Sequence, residues 1–359
     1  MKNNYALLFK TGESEIRAIR NFPNKKGIFP IIELTRGRKT SKDAVGNIQK
    51  RIDQLAECFG GMDVILDLTT EPALSNTQID MLYIPDNGYE NWINFLIDIR
   101  TRGVFREIFP SILLNVEDDN FDLNLKKQVK RILSEFNGIT YRCNIEDEGY
   151  SEDVEILSNI LDEKDKFYFI IDCSYIRESE LNTCKIQSVK IIQEVHKKIP
   201  HARFIFTSTS FPDKIGESDC SNIPLTEIHL YDSIVRELPQ ISVIYSDYGT
   251  INPIRNDNVI MANGWRPRID VSIDSEIFYY RRKKVPQGYA ETYSLVASDV
   301  VSDNRFPLSL NKNWGINQIK NASDGASPGS SPSFWISVRM NIHIEQQLMR
   351  LSKKHMQLF

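Results

Sequence analysis

Eight short apolar runs in the first 250 residues constrain the fold more than any other feature of this chain. They are rich in β-branched and aromatic residues and are too short for helices of ordinary length. Several are apolar almost without interruption, which is typical of strands that are covered on both faces. The runs are YALLFK (5–10), IFPIIEL (28–34), DVILDL (63–68), IFPSILLNV (108–116), ITYRCNI (139–145), FYFIIDC (167–173), RFIFTS (203–208) and ISVIY (241–245).

Amphipathic segments separate these runs, with apolar residues every three or four positions, as in Val45, Ile48, Ile52 and Leu55. The alternation of strand and helix predicts right-handed βαβ units and a parallel sheet. Eight such strands match the size of a TIM-like (β/α)8 barrel, usually about 250 residues long. A doubly wound open sheet is the alternative, but the chain lacks a G-x-G-x-x-G turn after the first strand.

The pattern changes after Asp247. Residues 269–284 alternate like an antiparallel strand, and residues 288–301 could pair with them across a short turn. A stretch of small polar residues (321–333) predicts a flexible loop. We therefore predict three parts: a barrel body (1–250), an insertion with a β-hairpin and a loop at the barrel mouth (251–333), and a C-terminal helix that completes the barrel (334–359).

Composition excludes several classes of protein. Hydrophobic residues make up 41% and the formal net charge is −4, so we expect a globular protein without a general attraction to nucleic acid or membranes. The five cysteines include no C-x-x-C pair, which argues against a disulfide framework or a zinc knuckle. The sequence begins without a signal peptide and lacks an apolar span of about 20 residues. We expect a cytoplasmic location.

Three carboxylates follow unbroken apolar runs: Glu33, Asp67 and Asp172. In a barrel they would lie at the C-terminal ends of strands, where active sites form. They could act as acid and base, or hold Mg²⁺ or Mn²⁺ through oxygen ligands if the protein is an enzyme. The structural alternative is ion pairing, with Arg36, Arg38 and Arg142 as the available partners. No cofactor is evident, and the histidines lack the spacing of a zinc site.

The segment YYRRKK (279–284) is an aromatic and basic cluster. Its cations, Arg281, Arg282, Lys283 and Lys284, could bind phosphates while the tyrosines stack on bases. An equally good interpretation is an edge strand that carries charge to prevent aggregation.

Several short motifs resemble the "beta protein" family, which is named from a coliphage and widespread in bacteria. They are the segment PIIELTRGR, the strand end FIIDCS, and the C-terminal sequences WGINQI, SPSFW and NIHI. The resemblance spans nearly the whole chain. It implies a barrel-like fold, a cytoplasmic protein and an association with phage or antiviral defence genes, but it supplies no catalytic residues.

Three functions agree with these observations. The first is recognition of a partner protein from the same gene module, or of nucleic acid, through the barrel mouth and the basic hairpin. The second is a metal-dependent hydrolase or phosphodiesterase that uses the strand-end carboxylates. The third is a barrel that serves only as a scaffold.

Overall fold

The computed structural model describes residues 5–253 and 264–357. Its largest element is an eight-stranded parallel sheet curved into a nearly closed barrel. A strand is present at each of the eight predicted runs, although the strand predicted for residues 108–116 ends at Pro110. The eight strands are β1 (Tyr5–Lys10), β2 (Ile28–Leu34), β3 (Asp63–Leu68), β4 (Glu107–Pro110), β5 (Gly138–Asn144), β6 (Lys166–Tyr175), β7 (Arg203–Thr209) and, after one further strand, β9 (Val243–Asp247).

The sheet has the order β4-β3-β2-β1-β9-β7-β6-β5. Its two end strands meet only after β4, where Ser111 bridges to Thr140 and the Ile112 N–H donates to the Thr140 carbonyl over 2.8 Å. The seam between β4 and β5 is therefore the weakest part of a barrel that is otherwise continuously paired.

Helices cover the outside of the barrel, as the alternating pattern predicts. The strands bury both faces, since their outward side chains pack under helices and inward ones such as Leu8, Ile31 and Ile170 fill the barrel interior. The helices are α1 (Glu13–Arg20), α2 (Gln49–Phe59), α3 (Thr77–Leu82), α4 (Asp86–Thr101), α5 (Phe121–Glu135), α6 (Tyr150–Ser158), α7 (Leu181–Lys198) and α8 (Thr226–Glu237).

A second sheet of three antiparallel strands lies beside the barrel mouth. Its strands are β8 (Cys220–Pro224), β10 (Arg268–Ser272) and β11 (Glu276–Arg281), in the order β10-β11-β8. The hairpin is formed by β10 and β11. β8 comes from the connection between β7 and α8, inside the range predicted as barrel body.

The prediction that residues 288–301 form a strand is wrong. They lie in helix α9 (Tyr289–Ser302), because Tyr293, Val296, Ala297 and Val300 recur at helical spacing and pack together in the core beside the second sheet. A further helix, α10 (Trp314–Ser323), occupies the start of the predicted polar loop.

The last helix, α11 (Pro332–Gln357), packs against α1, β10 and α10 and touches β1. The Asn341 side-chain amide donates to the Ala18 carbonyl over 2.9 Å, which fixes α11 against α1. Arg339 donates to Asp270 over 2.7 Å, which fixes it against β10. The division of the chain at residues 250 and 333 stays a prediction, and residues 254–263 of the predicted insertion lie outside the described residues.

Within the described ranges, no helix is long and apolar enough to cross a membrane. The five cysteines are all free thiols.

Candidate functional site

The three predicted carboxylates converge at the C-terminal end of the barrel. Strand register explains this, because Lys10, Glu33 and Asp67 are adjacent partners across β1, β2 and β3. Asp172 comes from the C-terminal part of β6, where it is the partner of Asn144 on β5. Because side chains alternate along a strand, these residues point into the barrel with the apolar layer below them.

Arg142 on β5 lies at the centre of the three carboxylates. Its Nη1 donates to Glu33 Oε2 over 3.0 Å and to Asp67 Oδ2 over 2.9 Å. Its Nε donates to Asp172 Oδ2 over 2.9 Å, and Nη2 lies 2.8 Å from the same oxygen. Nη2 also donates to the Tyr248 hydroxyl over 3.1 Å. A guanidinium has five N–H donors, and four of them donate to acceptors within the protein, while Nη2 is also ion-paired with Asp172.

Two further groups complete this network. The Tyr248 hydroxyl donates to Asp172 Oδ2 over 2.6 Å, which holds the carboxylate from the side opposite β5. Lys10 Nζ lies 3.4 Å from Glu33 Oε1 and donates to the Pro253 carbonyl over 2.8 Å. We call Lys10, Glu33, Asp67, Arg142, Asp172 and Tyr248 the mouth network.

Burial makes the charges of this network strongly interdependent. The three carboxylate side chains are at most 9% exposed, and Arg142 is 21% exposed. Burial acts to lower the pKa of Arg142, but the surrounding anions raise it well above its usual value. Arg142 is therefore permanently charged.

Burial and the neighbouring charges shift the pKa values of Glu33 on β2 and Asp67 on β3 in opposite directions. Burial acts to raise the pKa of Glu33, but the charges of Arg142 and Lys10 outweigh it and the net pKa is lowered. Burial raises the pKa of Asp67 more than Arg142 lowers it, and the neighbouring Glu33 adds to the rise. Of these two acids, Asp67 therefore takes up a proton more readily than Glu33.

The network is not arranged as a metal centre. In the described part of the chain, no group of three His, Cys, Asp or Glu side chains is placed to hold a metal ion. The Arg142 guanidinium occupies the space between the carboxylates, where a divalent cation would have to lie.

The other predicted arginines lie outside the mouth network. Arg36 Nε and Nη2 donate to the Ala73 carbonyl over 3.2 and 3.0 Å, which ties the loop after β2 to the loop after β3. Arg38 is exposed. Of the three arginines proposed as partners for the carboxylates, only Arg142 has that role.

The basic cluster at the end of β11 is engaged in contacts within the protein. Arg282 forms a bidentate ion pair with Asp299, in which Nε and Nη2 each lie 2.7 Å from a carboxylate oxygen. Arg281 Nε donates to the Ser218 carbonyl over 2.9 Å. The Lys284 ammonium lies 4.7 Å from the centre of the Tyr289 ring, and Lys283 is exposed.

The tyrosines of the cluster face the protein. Tyr279 is buried, and the Tyr280 hydroxyl donates to Asp303 over 3.0 Å. Tyr279 is therefore not available to stack on a base, whereas Tyr280 is partly exposed and anchored by its hydroxyl.

A second buried polar chain connects the barrel to β10 and α11, and the sequence did not indicate it as a site. His343 Nε2 lies 2.8 Å from Asp247 Oδ2, and its Nδ1 lies 3.0 Å from Ser272 Oγ. Tyr5 and Tyr245 also donate to Asp247. The order Ser–His–Asp is that of hydrolase triads, but Ser272 and His343 are 0% exposed. The arrangement holds three elements together and offers no access to a substrate.

Glu227 on α8 is another buried acid that sequence reasoning missed. Its carboxylate accepts from the Ser210 N–H over 3.1 Å and from the Ser210 hydroxyl over 2.5 Å. Burial raises its pKa to about 7, although the Ser210 hydrogen bonds oppose the rise. The signal was weak, because Glu227 lies in the first turn of a helix, where acidic residues are common.

The fold and the mouth network together define a class: a nearly closed eight-stranded parallel barrel with flanking helices, whose mouth is filled by an arginine-centred ion-pair network. The family model described as "Beta protein" matches residues 5–349. The chain therefore belongs to the beta protein family, as its motifs indicated. "Protein beta" of Enterobacteria phage P4 is 26% identical over 354 residues, which are 96% of this chain and 92% of the phage protein.

Proposed function

We propose that this chain is a recognition protein of a phage- or defence-related gene module, and that it binds a partner protein at the mouth side of the barrel. The observation that carries the proposal is that the Arg142 guanidinium is already bonded to acceptors within the protein. A mouth whose charges are already paired offers fixed shape and polarity to a partner, and it does not offer an open set of metal ligands. The phage relative supports the association with a phage module.

The basic hairpin extends this surface. Lys283 and the neighbouring cations lie at the end of β11, on the sheet beside the mouth. Nucleic acid is the second candidate partner, because these cations could neutralise phosphates. We rank a protein partner first, because Tyr279 is buried and the hydroxyl of Tyr280 is held by Asp303, which gives base stacking less support.

The alternative function, a metal-dependent hydrolase or phosphodiesterase, needs Arg142 to leave the carboxylates. Leaving would expose three acids to a cation, but it would break every hydrogen bond of a buried guanidinium.

The proposal is tested by measuring binding between this protein and the purified products of the neighbouring genes in its module. The test variant replaces Arg281, Arg282, Lys283 and Lys284 by glutamine. A matched control replaces four exposed lysines away from the mouth by glutamine: Lys127, Lys130, Lys164 and Lys197. We expect at least one gene product to bind, the control to bind normally, and the cluster variant to bind more weakly and with less dependence on salt.

A parallel titration with a 20-nucleotide single strand separates the two partner classes. Phosphate contacts would give a steep salt dependence, of about 0.7 per contact in the logarithmic slope, that the cluster variant flattens. That result would favour the nucleic-acid candidate. The recognition role would be refuted if no gene product and no nucleic acid bound, or if the cluster variant bound every ligand like the wild type.

A further inference from the structure

The strand β8 leaves one of its edges unpaired. It forms the end of the order β10-β11-β8, and among residues 5–253 and 264–357 no strand pairs with its other edge. Its residues 220, 221, 222 and 224 are exposed. A free strand edge carries N–H and C=O groups that can pair with another chain.

The register shows which groups face outward. The Leu225 N–H donates to the Ser275 carbonyl, and the Arg281 N–H donates to the Asp219 carbonyl. Since hydrogen-bonded residues alternate along an antiparallel pair, the odd-numbered residues of this strand bond to β11. The N–H and C=O groups of Cys220 and Asn222 therefore point away from β11.

A cleft of about 360 Å³ runs along this edge and joins it to the barrel mouth. Ser221 and Asn222 line one side, and Tyr175 and Arg177, which follow β6, line the other. Tyr279 contributes to the lining from β11. Residues of β8 thus line a cleft that is also lined by residues at and just beyond the C-terminal end of β6.

The residues that line the cleft carry a small excess of positive charge, although Arg177 also pairs with Glu180 over 3.4 Å. Arg177 and Lys214 line it, and both are exposed, with Glu178 as the acidic residue of the lining. Arg281 lies behind it and donates to the carbonyl of Gly216, another lining residue. Burial and the charges of Arg266 and Arg268 lower the pKa of Arg281, which reflects the accumulation of cations at this position.

We propose that β8 accepts an extended, acidic segment of a partner protein as a fourth strand of the second sheet. Main-chain hydrogen bonds to Cys220 and Asn222 would supply affinity, and the cations of the cleft would select acidic side chains. This inference rests on the proposed recognition role and specifies the partner's chemistry.

Proline at position 222 provides a sharp test. Asn222→Pro removes an outward N–H and leaves the hydrogen bonds to β11 in place, since proline is tolerated on an edge strand. Asn222→Ala is the matched control, because it loses the same side-chain bond with Arg305 and keeps the N–H. Unchanged thermal unfolding of both variants would verify that the second sheet is intact.

The probe is a displayed library of random 12-residue peptides, selected on the wild-type protein and then measured singly by fluorescence anisotropy. We expect selected peptides to be enriched in Asp and Glu alternating with β-forming residues. Their affinity should fall about tenfold on Asn222→Pro and stay within about threefold on Asn222→Ala, as expected for the loss of one or two main-chain hydrogen bonds. Amide exchange at Asn222 should slow when the peptide binds.

Equal binding to the proline and alanine variants would overturn the inference, and so would selected peptides without acidic enrichment or the absence of any binder. Self-association that Asn222→Pro abolishes would identify a second copy as the occupant and would also overturn it. If β8 fails these tests while a neighbouring gene product still binds and depends on the basic cluster, the proposed function survives without this inference.

Discussion

Replacing Arg142 by methionine should destabilise the protein strongly and in a pH-dependent way. Methionine keeps much of the side-chain length but removes the charge that bridges Glu33, Asp67 and Asp172 at 2.8 to 3.0 Å. Removing one partner of a buried ion pair costs about 3–5 kcal/mol, because the other charge stays buried without compensation. Arg142 is partly exposed and Lys10 still faces Glu33, so we expect the lower end, about 3 kcal/mol.

The pH dependence follows from the direction of the pKa shifts. In the wild type the pKa of Glu33 is lowered, so its ionisation stabilises the fold above the pKa of the unfolded chain, and this contribution is lost as the pH falls through the folded pKa. Without Arg142, the pKa values of Glu33 and Asp67 should rise, because burial then acts without its main opposing charge. The deficit of the variant should then be largest near pH 8 and should shrink as the pH falls and the acids take up protons.

The assay is urea unfolding at pH 8 and pH 5, followed by tryptophan fluorescence. The matched control is Arg131→Met, which removes an exposed pair with Glu90 and should cost less than about 1 kcal/mol. Changing the three acids to their amides in the Arg142→Met background should restore part of the stability, because no buried charge then remains. Wild-type stability of Arg142→Met, or a deficit that does not change with pH, would refute the reasoning.

Two other buried groups give measurable predictions. Glu227 has a pKa of about 7, above the usual 4.5, so wild-type stability should fall by about 3 kcal/mol as the pH rises through this interval, and Glu227→Gln should remove that fall in pH-dependent unfolding curves. His343→Phe should destabilise the protein by about 2–4 kcal/mol in urea unfolding, because Asp247 loses its buried partner. Ser272→Ala, which keeps the bond between His343 and Asp247, should cost less; equal costs would contradict the role given to that bond.

The barrel strands could be predicted because they are buried on both faces, which leaves apolar runs such as VIL before Asp67 and FII before Asp172. The second sheet could not be predicted in the same way. β8 has the sequence CSNIP, which is short, polar and mostly exposed, so it carries no hydrophobic pattern. α9 was assigned to a strand because its β-branched residues resemble one, although Tyr293, Val296, Ala297 and Val300 have helical spacing.

The candidate site, like the fold, could be predicted only in part from the sequence. A strand-end carboxylate is visible in the sequence, but the choice of Arg142 over Arg36 depends on barrel closure, which brings β5 across from β2. Tyr248 was missed because it lies just beyond the last strand, although it continues the inward alternation of Ile244 and Ser246. Contacts between distant strands, such as the 3.0 Å between Arg142 and Glu33, depend on topology and leave no local pattern.

The central claim is that the mouth carboxylates close on Arg142 and not on a metal ion. Calorimetric titration of the purified protein with Mn²⁺ tests it most directly, with Glu33→Gln and Asp172→Asn as variants. The account predicts that neither Glu33→Gln nor Asp172→Asn removes a saturable Mn²⁺ site, because the wild type has no such site at the mouth carboxylates. A saturable Mn²⁺ site that is present in the wild type and lost in both variants would contradict it and would favour the hydrolase.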